Sequence, residues 1–153
     1  MGWYDDHDEK GLSSLVGKKV TDIFMNDEYL VFICADGTVH GYTVEGDCCS
    51  WSYFNDFHGV EKLLSNGVVV SVNSIDLMDG DPNWNGSLSG IDGCEEVIYG
   101  FSIVTESAVW GEQTSVFSFR NSSNGYYGGW MYKTEHIPND FCSEENRLTQ
   151  DKL

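Results

Sequence analysis

Three groups of residues in this chain have the types and spacing for chemistry. The first is the Cys48-Cys49 pair with His40 and His58. A cysteine thiolate beside a histidine is a nucleophile, and the same donors suit a transition metal. No Cys-x-x-Cys spacing and no orienting third residue accompanies them, and buried free cysteines are ordinary core residues. The second is Asp79-Gly80-Asp81-Pro82-Asn83-Trp84-Asn85-Gly86. Oxygen ligands at alternate positions suit calcium, but no glycine stands at the sixth position and Gly90 stands where the EF-hand needs glutamate. It reads as a solvent-exposed acidic loop. No metal and no cofactor is expected.

The third group is the carboxylates. Twenty-five acidic side chains face eight basic ones, a formal charge of −17. Between Lys62 and Arg120 lie eight acids and no lysine or arginine. Such a field repels nucleic acid and anionic membranes and attracts basic surfaces. Duplex DNA carries one charge per about 1.7 Å, so seventeen charges on one face would match roughly 29 Å of duplex. Acidity also serves solubility alone. The expected partner-binding residues are Asp76, Asp79, Asp81, Asp92, Glu95 and Glu96, with Trp84 as an apolar anchor. No Gly-x-Ser-x-Gly elbow, no Gly-x-Gly-x-x-Gly and no P-loop is present, so no catalytic residue is assigned and no enzyme is expected.

The elements that position these groups follow from periodicity. Lys18 to Met25 alternates as a strand, Asn26-Asp27-Glu28 turns, and Tyr29 to Ala35 is a second strand. Asp36-Gly37 predicts a type I′ hairpin turn, with Thr38 to Glu45 returning. Cys49 to Phe54 predicts a strand with Trp51 and Tyr53 on one face. Val60, Leu63 and Leu64 give His58 to Ser65 a helical cast, ended by Asn66-Gly67. Strands follow over Val68 to Met78, Val97 to Thr105, Thr114 to Arg120 and Tyr126 to Thr134, with a turn-rich stretch from Asp79 to Glu96. The aromatics Tyr126, Tyr127, Trp130 and Tyr132 suit core packing better than a binding surface.

The expected organisation is an acidic flexible tail at 1–12, one β-rich domain at 13–134 and a loosely ordered C-terminal segment at 135–153. The fold class is mainly β: seven or eight antiparallel strands in a curled sheet or open barrel with one short helix, with a β-sandwich as the alternative. Aromatic content of 14% and hydrophobic content of 41% belong to a folded globule. The acidic start is unlike a signal peptide, no apolar run reaches membrane-spanning length, and the odd cysteine count fits reduced thiols. These readings place the chain in the cytoplasm.

Taken in order, Leu15-Val16-Gly17-Lys18-Lys19-Val20, Ala35-Asp36-Gly37, Asp47-Cys48-Cys49-Ser50, Asn55-Asp56-Phe57-His58-Gly59 and Ser123-Asn124-Gly125-Tyr126-Tyr127 resemble a family of small uncharacterised proteins found largely in bacteriophages and bacteria. That family often carries histidine before the Cys-Cys pair and an acid after it. Here Gly46-Asp47 and Ser50 stand there, so a site using that histidine does not carry over. The resemblance implies an accessory protein acting in the cytoplasm of an infected host.

The leading expectation is therefore an acidic, phage-type accessory protein. It would bind and inhibit a basic partner, such as a nuclease or another nucleic-acid-binding host protein, as a DNA mimic, without touching nucleic acid or membrane itself. Two alternatives stand beside it: a protein that binds and sequesters a small ligand, and a structural globular domain.

Overall fold

Strand boundaries are set by residues that supply turn geometry. In the computed structural model, which describes residues 11–47, 49–77, 84, 95–123 and 128–153, with Glu95 by its backbone alone, eight strands and one short helix form. Strand β1 (Val20–Met25) passes to β2 (Tyr29–Cys34) through a turn tied by Asn26, whose Oδ1 accepts from the Glu28 and Tyr29 amides at 2.8 Å. Strand β3 (Val39–Gly46) returns after the four residues 35–38. The Cys34 amide donates to the Thr38 carbonyl at 3.0 Å and the Gly37 amide to the Cys34 carbonyl at 2.9 Å. Gly37 alone in this loop has positive φ, 87°. The connection is thus a turn followed by one left-handed glycine, not the expected type I′ pair, because Asp36 keeps negative φ.

The chain leaves β3 through a turn that includes Cys49 at φ 71° and enters β4 (Trp51–His58). Helix α1 (Val60–Ser65) follows, and then β5 (Val68–Ile75), β6 (Glu95–Ser107), β7 (Gly111–Ser123) and β8 (Gly129–Thr134). Val60 and Leu63 are buried, as the helical spacing predicts. The α1 N-terminus is capped from a distance: Asp151 Oδ1 accepts from the Gly59 and Val60 amides at 2.9 and 3.0 Å. A carboxylate there satisfies orphan donors and complements the helix dipole.

The expected mainly antiparallel β fold with one short helix is what the structure shows, its strands divided between two sheets and not closed into a barrel. One sheet has the order β1-β2-β3-β8, the other β4-β7-β6-β5. Their inner faces share one core. Leu30, Phe32, Tyr42 and Met131 meet Phe54, Phe57, Phe101, Phe117 and Phe119, all buried. Phe117 stacks between Phe57 and Phe101 at 5.4 and 5.3 Å, and Phe32 crosses from the other sheet to Phe57 at 6.1 Å. Each buried phenylalanine contributes about 1.5–3 kcal/mol, so this aromatic column is the main cohesive element between the sheets.

The outer face of the second sheet is covered as well. Leu77 and Trp84 pack there with Val116, flanked by Ile75 and Ile98. Gly100 leaves the room Leu77 needs: a Cβ there would run into the leucine side chain.

The C-terminal segment differs from the expected loosely ordered one. The Met25 amide bonds to Asn146 O at 2.9 Å and the Leu148 amide to Ile23 O at 2.8 Å. Phe57 and Lys152 exchange two backbone hydrogen bonds, at 2.9 and 3.0 Å. Phe141 buries itself against Phe24 and Val31. Backbone pairing to the edge strands β1 and β4 holds this segment, and hydropathy patterning cannot register such bonds. Of the expected acidic tail, residues 1–10 lie outside the described residues. Leu12 belongs to the core.

Candidate functional site

Antiparallel registry decides which connections meet. Tyr29 pairs with Thr43, Gly46 with Gly129, and Ser122 with both Trp51 and Glu96, while Ile75 pairs with Gly100. The β1–β2 turn, the β3–β4 turn and the ends of the β5–β6 and β7–β8 connections therefore gather at one end of the molecule. Hydrogen bonds lock them together. The Asp47 amide donates to Gly128 O at 3.0 Å, the Gly128 amide returns to Asp47 Oδ2 at 3.2 Å, and the Phe54 amide reaches Asp27 O at 2.9 Å. Asn121, fully buried, donates to Ser50 and Ser52 at 3.2 and 2.9 Å.

The sequence of these four segments (26–28, 45–50, 76–96 and 122–129) has no lysine or arginine. It has ten carboxylates: Asp27, Glu28, Glu45, Asp47, Asp76, Asp79, Asp81, Asp92, Glu95 and Glu96. Asp27, Glu28, Glu45 and Asp76 are exposed and Asp47 is half-buried. The two arginines nearest this end are already neutralised. Arg120 Nη1 lies 2.8 Å from Glu96 Oε1. Arg147 is paired with Asp22 and, at 3.1 Å, with Glu144. Of the described lysines, Lys18 and Lys19 lie beside β5 and α1, Lys62 within α1 and Lys152 on Phe57, all toward the other end, while Lys133 on β8 directs its Nζ to His40 at 3.3 Å.

An aromatic pair stands at this acidic end. Trp51 and Tyr53 share a face of β4, as alternation predicts, and stack with ring centroids 4.6 Å apart. Trp51 is 58% exposed. The Tyr53 hydroxyl donates to Glu96 Oε2 at 2.6 Å. Burial first, then the Glu96 and Asp27 carboxylates, push the Tyr53 phenol up to about 12. Tyr132 on β8 is likewise pushed up to about 12, chiefly by its hydrogen bond to Glu45.

Two of the expected partner-binding residues have other places. Trp84 is 1% exposed, and its Nε1 donates to Asp56 Oδ2 at 2.8 Å, so its ring covers the second sheet and is not presented to a partner. The Glu96 side chain is 1% exposed and ion-paired. Asp76 is on the surface. Asp79, Asp81, Asp92 and the Glu95 side chain lie outside the described residues, as does the calcium-like loop apart from Trp84. Sequence reasoning did not single out Trp51, Asp27, Glu28, Glu45 or Asp47 as site residues. The strand registry that unites them is invisible in a linear string.

The Cys-His group is not united. His40 lies on β3 of one sheet and His58 on β4 of the other. Cys48 is outside the described residues, and Cys49 is exposed. Among the described residues no group of histidine, cysteine and carboxylate ligands converges.

His40, 5% exposed, lies in a relay. Thr38 Oγ1 donates to Asp36 Oδ1 at 2.6 Å. Its single proton is thereby committed, so His40 Nε2 must donate to it across 2.9 Å. Nδ1 then accepts from Lys133 Nζ at 3.3 Å, with Ser14 Oγ 3.1 Å away and its own proton given to a backbone carbonyl. Burial, then the Lys133 and Lys18 charges, lower the His40 pKa. Ser14 Oγ and Tyr42 OH both reach the Gly11 carbonyl, at 2.9 and 2.8 Å. The visible work of this relay is to anchor the chain where the domain begins.

His58 belongs to a different buried set. Ser118 donates to Asp56 Oδ1, and His58 Nε2 lies 3.2 Å from Asp56 Oδ2. The aspartate stands between serine and histidine, so no nucleophile–base pair forms. No described helix is long and apolar enough to cross a membrane.

No curated protein and no solved structure matches the chain. A family model does, over residues 13–132, and its family is described as a domain of unknown function, DUF7448. That match runs from ahead of β1 into β8, and by it the chain belongs to the DUF7448 family.

Proposed function

We propose that this protein binds a basic protein partner through its acidic end. One observation carries the reading: the topology brings the described ends of four acidic, lysine- and arginine-free connections to one end of a chain whose charge is −17. Among the described residues Asp27, Glu28, Glu45 and Asp76 are exposed at this end, and in sequence Asp79, Asp81 and Asp92 follow Asp76 before β6. Charges gathered in this way raise the local potential far above that of the same charges dispersed, and they steer oppositely charged partners.

A partner that normally grips nucleic acid offers the complementary surface, since phosphate contacts are made by clustered lysine and arginine. The chain would occupy that surface as a mimic of the phosphate backbone and inhibit its owner. The resemblance to proteins of bacteriophages fits an accessory role against a host nuclease or another host DNA-binding protein. Trp51 takes the part first expected of Trp84, an exposed aromatic anchor inside the charged patch.

The test is retention of proteins from a bacterial lysate at two salt concentrations, with identification by mass spectrometry. Basic nucleic-acid-binding proteins should be retained at low salt and released at high salt. An Asp27→Asn/Glu28→Gln/Asp76→Asn variant should lose most of that retention, and a Glu106→Gln/Glu112→Gln variant at the far end should keep it. Retention that is independent of salt, or equal in both variants, would remove the proposal.

A further inference from the structure

We infer that the stacked Trp51–Tyr53 pair is an arginine-recognition platform, taking a guanidinium of the basic partner in preference to a lysine ammonium. This rests on the acidic end being the docking surface, and it adds a chemical specificity that charge alone does not give.

Trp51 opens β4 and is 58% exposed, while Tyr53, two residues on, stacks against it at 4.6 Å with 28° between the rings. One face of the indole is packed, and the exposed remainder is a flat π surface at the acidic end. The pair is held in place from below. The Tyr53 hydroxyl donates to Glu96 Oε2 at 2.6 Å, and Glu96 Oε1 is fixed by Arg120 at 2.8 Å. Such support fixes the platform before a ligand arrives. The Asp27 carboxylate acts electrostatically on Tyr53, and Asp27 is exposed. An aromatic surface with a carboxylate acting on it, above an arginine already paired with Glu96, suits a cationic side chain. Arginine is the better occupant of the two cations. Its guanidinium is planar, stacks on aromatic faces, is more weakly hydrated than an ammonium and pairs with carboxylates through a fork of donors.

The test is calorimetric titration of the full chain with nona-arginine, nona-lysine and a neutral leucine-containing peptide of the same length. The wild type should bind nona-arginine about fivefold more tightly than nona-lysine, a difference of ~1 kcal/mol. Trp51→Leu should bind both peptides equally while retaining charge-driven affinity, and Trp51→Phe should keep part of the preference. Because Trp51 is exposed, both variants should fold, and circular dichroism checks this. Equal affinities in the wild type, a preference that survives Trp51→Leu, or equal binding of the neutral peptide would each overturn the platform. In the first two cases the acidic end would still stand as a salt-sensitive docking surface. No binding of either cationic peptide by the folded wild type would instead overturn the docking surface itself.

Discussion

Arg120 and Glu96 form an ion pair whose side chains are 9% and 1% exposed, beneath the Trp51–Tyr53 platform. Arg120→Met keeps much of the apolar length of the side chain and removes its charge. Glu96 is left buried with the Tyr53 hydroxyl at 2.6 Å but without its counter-charge. Removing one partner of a buried pair costs about 3–5 kcal/mol, because the orphaned charge stays desolvated. The surviving tyrosine hydrogen bond puts the expectation at the lower end, about 3 kcal/mol. For a chain of this size that corresponds to a fall in Tm of roughly 6–12 °C. The double variant Arg120→Met/Glu96→Leu removes both charges and should recover to within about 1 kcal/mol of the wild type, since apolar replacement of a buried pair is often neutral or stabilising. Urea denaturation followed by circular dichroism measures all three proteins. A single variant that loses less than about 1 kcal/mol, or a double variant no more stable than the single, would show that the pair is not the desolvated support described here.

Other outcomes follow from particular contacts. Glu106 and Glu112 face each other directly across the β6–β7 hairpin, and like charges so placed repel. Glu112→Lys should therefore raise stability by about 0.5 kcal/mol, an effect that shrinks in high salt. Trp84→Phe removes the donor to Asp56 while keeping most of the ring, and should cost about 1.5–3 kcal/mol in the same denaturation assay. His40 is held neutral by burial and by the Lys133 and Lys18 charges, so its folded pKa lies below the unfolded value of 6.5. The unfolded chain then binds the proton first, and stability from this group is present above that value and lost as pH falls through it toward the folded pKa. Denaturation at pH 7.5 and pH 5.5 should show this loss in the wild type, and the difference should shrink in His40→Gln; an equal change in both would refute it.

Much of the local structure is legible from residue order. The Val, Ile and aromatic alternation of Tyr29 to Cys34 and the Val60, Leu63, Leu64 spacing act over a few residues, and a single strand or helix must obey them. The same rule placed Trp51 and Tyr53 on one face, and they stack there. Turn type was harder, because Asp36-Gly37 is compatible with more than one loop. The outcome depends on where Cys34 and Thr38 bond across the hairpin. Trp84 lies among Asp, Asn and Gly, which suggests a surface anchor, yet its fate is set by Asp56, which is 28 residues away. Nothing in the residues around Glu96 shows that it belongs to Arg120, which is 24 residues away.

Composition and periodicity alone determined the excess of negative charge, the mainly β character, the short helix and the scarcity of cations between Lys62 and Arg120. These are sums over residues or patterns within a few positions. Only the tertiary structure decided which carboxylates share an end, which three are paired with arginines, and that Trp51 faces solvent while Trp84 is buried. Strand registry and sheet order bring together residues that lie far apart in the chain, and electrostatic potential depends on those distances through space rather than on separation in sequence.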